Sequence, residues 1–288
     1  MNHSRREFCR DALAALAVPL LSRCAVAEVA AVANKPRPAV QLWSVHTCCE
    51  RDLPGTFRAL KGFGYAGVEF AGYYGRKAGE MRRLLDDHGL LAAGTHVSDA
   101  DLRPDKINAV LDYQAEIGNR YVVCPHAGLK IVTRDGLKEM ADLLAQAAES
   151  AKAYGMFVGY HNSTKDFVTK YDGKTAWECF FESTSKEVFV QFDIGNCVEF
   201  GGGDPLPWLK KFPGRALTVH CKEDMRACPT AVLGRAKEEN QGVRWNETLS
   251  FLAKESGCRW YIVECEADAS RLDAVRDSLA FLKQGDWV

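Results

Sequence analysis

The chain has 288 residues, 47% hydrophobic and 26% charged, within the ordinary range of a globular protein and long enough to bury a full core. That length suits one large domain or two small ones. The formal net charge of −1 offers no basic surplus for nucleic acid, and no apolar run approaches the roughly 20 residues that span a bilayer.

The N-terminus differs in character from the rest. Ser4-Arg5-Arg6-Glu7-Phe8 is a twin-arginine pattern, Ala12 to Leu21 is apolar, and Ala25-Val26-Ala27 offers a small-residue cleavage site. A basic segment, a short apolar segment and small residues, in that order, predict a twin-arginine export signal over 1–27. A linker over 28–37 follows, and the mature protein is expected in the periplasm or otherwise exported. That route carries folded proteins, often with cofactor already bound. Of the eleven cysteines, Cys9 and Cys24 fall in the signal, so the odd remainder leaves at least one free thiol. Cys124, Cys221 and Cys265 sit in or beside strand-like runs, where a cysteine serves as a small buried hydrophobe. No CxxC occurs, which argues against a zinc knuckle or a redox pair.

Strands and helices then alternate to the end of the chain. The strands are read at Ala39 to Ser44, Gly67 to Phe70, Leu91 to Thr95, Tyr121 to Cys124, Phe157 to His161, Val188 to Asp193, Ala216 to His220 and Trp260 to Glu264. The intervening helices are read at Asp52 to Phe63, Ala78 to His88, Pro104 to Ile117, Asp135 to Tyr154, Thr175 to Glu182, Pro205 to Phe212, Trp245 to Ser256 and Ala269 to Leu282. Gly64, Gly89, Gly118, Gly155 and Gly257 stand where helices should stop. Eight such units over 38–288 predict an α/β fold, a single-domain (β/α)8 TIM barrel after the signal segment. A doubly wound sheet would usually carry a Gly-rich phosphate loop after its first strand; here that position reads Trp43-Ser44-Val45-His46.

In such a barrel the active site lies at the C-terminal ends of the strands. Those ends carry Trp43 and His46, Glu69, His96, His126, His161 and Asn162, Asp193 and Asn196, His220 and Lys222, and Glu264 and Glu266. Five of the seven histidines fall there. Four apolar runs end in His161, Asp193, His220 and Glu264, a donor set suited to one divalent cation such as Mn, Mg, Zn or Co. A carboxylate after so apolar a run as Val188 to Phe192 is costly to desolvate unless a cation or backbone N–H groups receive it. Lys222, two positions beyond His220, points to the same side of the strand. It could neutralise an oxyanion, shuttle a proton if a dry site depresses its pKa, or stand solvated in a loop. Glu69 could accept from a substrate hydroxyl or serve a salt bridge. Trp43 and Phe70 could wall a sugar ring or pack the core.

These residues carry a family likeness. Gln41-Leu42-Trp43-Ser44, Gly67-Val68-Glu69, Gly159-Tyr160-His161-Asn162, Gln191-Phe192-Asp193-Ile194-Gly195, Val219-His220-Cys221-Lys222-Glu223 and Tyr261-Ile262-Val263-Glu264 together resemble the xylose isomerase-like TIM barrels, the sugar phosphate isomerase/epimerase group. The Tyr-His-Asn run is similar to that of a subgroup often bearing export signals. The resemblance implies one divalent metal held by His161, Asp193, His220 and Glu264. Substrate contacts are expected from the strand-end residues Trp43, Glu69, His96 and Asn162. Two departures stand out: many epimerases have glutamate where this chain has His161, and the subgroup usually has a second histidine where it has Ser163.

The expected chemistry is isomerisation or epimerisation of a sugar, keto-sugar or cyclitol through an enediolate, or a related elimination. Lys222, Glu264 and His161 are the candidate acid/base groups. The alternatives are a non-catalytic sugar-binding barrel and an AP-endonuclease-like phosphodiesterase, the latter disfavoured by the absence of a basic groove. The expected partner is a small carbohydrate, with no nucleic acid and no membrane span; a homodimer stays open.

Overall fold

Eight parallel strands close on one another in chain order, each hydrogen-bonded to the next and the eighth to the first. The computed structural model describes residues 35–125, 130–236, 243–266 and 271–288. Strands one to eight are Arg37–Gln41, Gly67–Phe70, Leu91–His96, Tyr121–Cys124, Phe157–His161, Val188–Asp193, Ala216–Cys221 and Trp260–Val263. This is the (β/α)8 barrel expected of the alternating pattern. The export signal, most of the linker and His126 lie outside the described residues.

The outer helices form because their apolar residues recur every three or four positions. In Arg134–Lys152, Leu137, Met140, Ala141, Leu144, Ala147, Ala148 and Ala151 are buried on one stripe. The Thr133 side chain accepts from the Gly136 amide and starts that helix. Gly89 and Gly118 stop theirs in the left-handed region, at φ 63° and 76°, where a side chain would be strained.

Four local departures from the sequence expectation follow. Strand one ends at Gln41, not Ser44, because Leu42–Val45 winds into a 3-10 turn capped by the Gln41 side chain, which accepts from the Trp43 amide at 3.1 Å. Helix one begins at His46 and is kinked at Asp52, whose carboxylate accepts from the Gly55 amide where the helix resumes. A short helix, Ile194–Glu199, follows strand six, and a two-stranded hairpin pairs Lys170–Tyr171 with Lys174–Thr175. Neither of these last two was expected. Most of the nine cysteines of the described residues are buried, Cys124, Cys221 and Cys265 among them. Among the described residues no helix is long and apolar enough to cross a membrane.

Candidate metal centre

Strands five to eight stand side by side, and register brings their ends level. Asp193 pairs directly with His220, His161 with Gln191, and the Glu264 amide donates to the Cys221 carbonyl. One donor atom from each of His161, Asp193, His220 and Glu264 lies within 4.8 Å of every other, and all four residues are buried. His161 Nε2 is 3.3 Å from His220 Nδ1 and 3.3 Å from Asp193 Oδ2, and His220 Nδ1 is 3.0 Å from Glu264 Oε2.

Asp193 divides its carboxylate between two tasks. Oδ1 accepts from the Asn196 amide at 2.7 Å and caps the short helix; Oδ2 is buried and, among the described residues, has no hydrogen-bond donor. A buried, unpaired carboxylate oxygen facing two imidazoles and a second carboxylate is costly, and a cation relieves it. The donor set, two nitrogens and two carboxylates, fits a divalent ion.

Side chains packed behind these donors hold them in place. Glu69 is fully buried, and its Oε2 lies 2.6 Å from His220 Nε2. It also accepts from Gln41 at 2.7 Å and Gln191 at 2.6 Å. Gln191 donates to Thr218 Oγ1 as well, and its Oε1 lies 2.7 Å from His96 Nε2. With Nε2 committed to Glu69, His220 is left to present Nδ1 to the donor cluster. A register shift between Val68 and Glu69 sets Glu69 opposite Gly94, and a Cβ at Gly94 would lie 2.5 Å from Glu69 Oε1. Glycine is the residue that admits the carboxylate.

Charge follows geometry. Burial lowers His161 to about 3, with His220 beside it acting in the same direction, so its imidazole is neutral and able to ligate. Burial likewise lowers His96 to about 4. For His220 burial is outweighed by Glu69 and Glu264, which hold it well above its ordinary value. Asp193 is pushed up to about 7 by burial. For Lys222 burial acts downward, but Asp193, Glu264 and Glu266 together outweigh it and raise its pKa. The depressed lysine allowed for in the sequence reading is therefore corrected: Lys222 is a cation, its Nζ donating to Asn196 Oδ1 at 2.9 Å and to Glu266.

Above the donors opens a cleft of about 580 Å³, lined among others by Trp43, His96, His161, Lys222, Glu264 and Glu266. Trp43 stands at its rim, 52% exposed and stacked on His46. Phe70 is fully buried and belongs to the core. The other two residues expected against substrate, Glu69 and Asn162, are placed beneath the cleft instead. Both are fully buried; Asn162 brackets the Asp193 backbone, donating to its carbonyl at 3.0 Å and accepting from its amide at 2.8 Å. Ser98, Thr164 and Phe200 line the cleft without having been singled out from sequence. They lie in loops, where neither periodicity nor strand-end position marks them.

A family model, the xylose isomerase-like TIM barrel, matches residues 57–285, and the chain belongs to that family. The rhizopine catabolism protein MocC of Rhizobium meliloti is 26% identical over 246 residues, covering 72% of this chain and 73% of that protein. Among solved structures, a sugar phosphate isomerase/epimerase from Parabacteroides distasonis is similar at a TM-score of 0.74 and 20% identity, over 90% of this chain and 99% of that one. An L-ribulose 3-epimerase is similar at a TM-score of 0.65 and 17% identity, over 87% and 94%. At such identities the structural likeness is one of fold.

Proposed function

We propose that this protein is a divalent-metal-dependent isomerase or epimerase, or a related lyase, acting on a sugar, keto-sugar or cyclitol through an enediolate. The observation that carries the reading is Asp193 Oδ2, without a hydrogen-bond donor among the described residues, buried beside His220 and beside His161 and Glu264, which line an open cleft. Relatives named for rhizopine catabolism and for epimerase activity support the same class of substrate.

A divalent cation held by His161, Asp193, His220 and Glu264 would supply Lewis-acid polarisation of a carbonyl and its neighbouring hydroxyl. The chain's own groups do the rest. Lys222, held cationic at the cleft wall, stabilises the oxyanion that develops as the carbonyl is enolised. Glu264 lines the cleft and is held ionised; burial opposes this, but His220 and Lys222 outweigh it. It is the proton acceptor we favour, ahead of His161. Removing the proton from the carbon beside the carbonyl leaves the C–H electron pair in the enediolate. Returning a proton to the other carbon isomerises; returning it to the opposite face epimerises; expelling a β-substituent eliminates.

The test is a turnover screen of ketoses, inososes and 3-keto-glycosides on protein reconstituted with Mn, Mg, Zn or Co. Turnover that depends on metal and is lost in Asp193→Ala supports the reading, and full activity in a chelated sample sinks it. The twin-arginine pattern extends the proposal to an exported enzyme. Fractionation of cells expressing the full chain should find it in the periplasm, and Arg5→Lys with Arg6→Lys should retain it inside.

A further inference from the structure

We propose that a cavity beside the cleft is a second binding site, taking a neutral aromatic group carried on the ring that occupies the cleft. The ligand is then an aryl glycoside or an aryl-substituted cyclitol rather than a free sugar. This rests on the proposed function for the occupant of the cleft and adds a subsite to it.

The cavity has a volume of about 510 Å³ and lies between the loops after strands two and three and the first turns of the helix Ile107–Ile117. Small-molecule sites typically run to about 300–1,000 Å³. It adjoins the cleft, because His96, Val97 and Ser98, at and just past the end of strand three, line both. The His96 ring lies 5.1 Å from the His161 ring and 5.4 Å from the His220 ring, so the cavity begins one side chain away from the donor cluster. A substituent bonded directly to the ring in the cleft can cover that span without a long linker.

The walls are apolar, and their polar atoms are already engaged. Tyr73 and Tyr113 face the cavity with their rings 4.1 Å apart and 33° from parallel, joined by Val97, Ala109 and Val110. Tyr73 Oη hydrogen-bonds Thr95 Oγ1 at 2.9 Å and accepts from Gln114 Nε2 at 2.7 Å, while Gln114 Oε1 accepts from Asn119. Tyr113 Oη donates to the Arg76 carbonyl at 3.0 Å. With both hydroxyls committed, the two tyrosines offer a ligand ring surface. That suits a stacked or edge-on aromatic ring, whereas the hydroxyls of a second sugar would lose water there without gaining partners.

The same bonds form the site before any ligand arrives. Tyr113 to Arg76 ties the helix Ile107–Ile117 to the loop after strand two, and Tyr73 to Gln114 ties them again. The exposed polar lining is Ser98, Asp101, Asp105 and Lys106, with Ser98 Oγ donating to Asp101 at 2.7 Å. Two carboxylates against one ammonium disfavour an aromatic acid, which makes the aromatic group a neutral one.

The experiment uses Mn-loaded protein and matched pairs that differ only in the substituent: the methyl and phenyl 3-keto-β-D-glucosides, and the O-methyl and O-phenyl ethers of an inosose, with phenol as the free aromatic. Affinity is read by calorimetry, or as KM where a probe turns over. The phenyl member of a pair is expected to bind about tenfold more tightly than its methyl partner, or better. Ala109 is exposed and lines the cavity, so in Ala109→Phe the new ring fills it and the ratio should fall to about one. Equal affinities within both wild-type pairs overturn the subsite and leave the proposed function standing. A ratio that survives in Ala109→Phe, with the fold verified by circular dichroism, puts the aromatic group elsewhere and also overturns the subsite. Phenol binding that Ala109→Phe removes, without a gain in either pair, overturns the link to the ligand of the cleft. Failure of every glucoside and inosose to bind overturns the proposed function together with this inference.

Discussion

Glu69 Oε2 and His220 Nε2 lie 2.6 Å apart with neither side chain exposed, so the orientation of the strand-seven imidazole is set by a carboxylate from strand two, three strands round the closed barrel. This carboxylate–histidine pair fixes which nitrogen faces the donor cluster. Replacing Glu69 by Gln keeps the shape and removes the charge. Metal affinity should fall about 10- to 100-fold, measured by competition with a chromogenic chelator, with the circular dichroism spectrum unchanged. Unchanged affinity would remove Glu69 from the site.

Gly94 makes room for that carboxylate. In Gly94→Ala the new methyl would sit 2.5 Å from Glu69 Oε1, so either strand three or Glu69 must move. We expect a loss of about 1–3 kcal/mol in urea denaturation and a drop in metal affinity in the same direction as Glu69→Gln. A variant as stable as the wild type would mean that Glu69 has another place to go.

Lys222 is expected to act as a cation rather than as a base. Lys222→Met should lower turnover by about 10²- to 10³-fold while metal stoichiometry is retained. Lys222→Arg should recover part of the loss, because charge and not proton abstraction is what the side chain contributes. Full inactivity of the arginine variant with metal and fold intact would favour a proton-transfer role.

Asp166 predicts a pH dependence apart from the metal. It is fully buried, accepting from Tyr160 Oη at 3.0 Å and from the Ser163 amide at 3.0 Å. Burial pushes it up from 3.8 to about 7, against the pull of those hydrogen bonds. A carboxyl whose folded value is raised holds its proton more tightly in the native state. Its contribution to stability is therefore full below about pH 4 and is lost as pH rises to about 7. In Asp166→Asn this fall should flatten, as read from urea denaturation at a series of pH values; an identical slope in both proteins would contradict the assignment.

Much of this arrangement was legible in the chain. Strands two, four, five and six were read to the residue because β-branched and aromatic runs are bounded by Gly, Pro or charged residues. The four donors were legible because each closes such a run. What was not legible is depth. Glu69 and Asn162 occupy the same kind of strand-end position as His161, yet the register shift at Glu69 and the bracket around Asp193 send both beneath the cleft. Trp43 and Phe70, equal candidates from sequence, are parted by a 3-10 turn that turns one outward and by a strand that faces the other into the core. The loop residues of the cleft depend on contacts between distant segments, which no local pattern encodes.

His161 is the donor that the sequence resemblance marks as unusual, standing where that resemblance implies a glutamate. His161→Glu should retain the metal, since a carboxylate can replace the neutral imidazole, and should change the partition between reaction products. Loss of metal with the fold intact would show that the site requires nitrogen there, and no change in either metal or products would remove the residue from the site.

The account stands or falls on the cation. Elemental analysis of the protein folded in metal-rich medium, alongside Asp193→Ala with its fold verified by circular dichroism, tests this most directly. We expect about one equivalent of a divalent ion per chain in the wild type and its loss in the variant. No bound ion in the wild type, or equal occupancy in both proteins, would contradict the assignment of His161, Asp193, His220 and Glu264 as a metal centre.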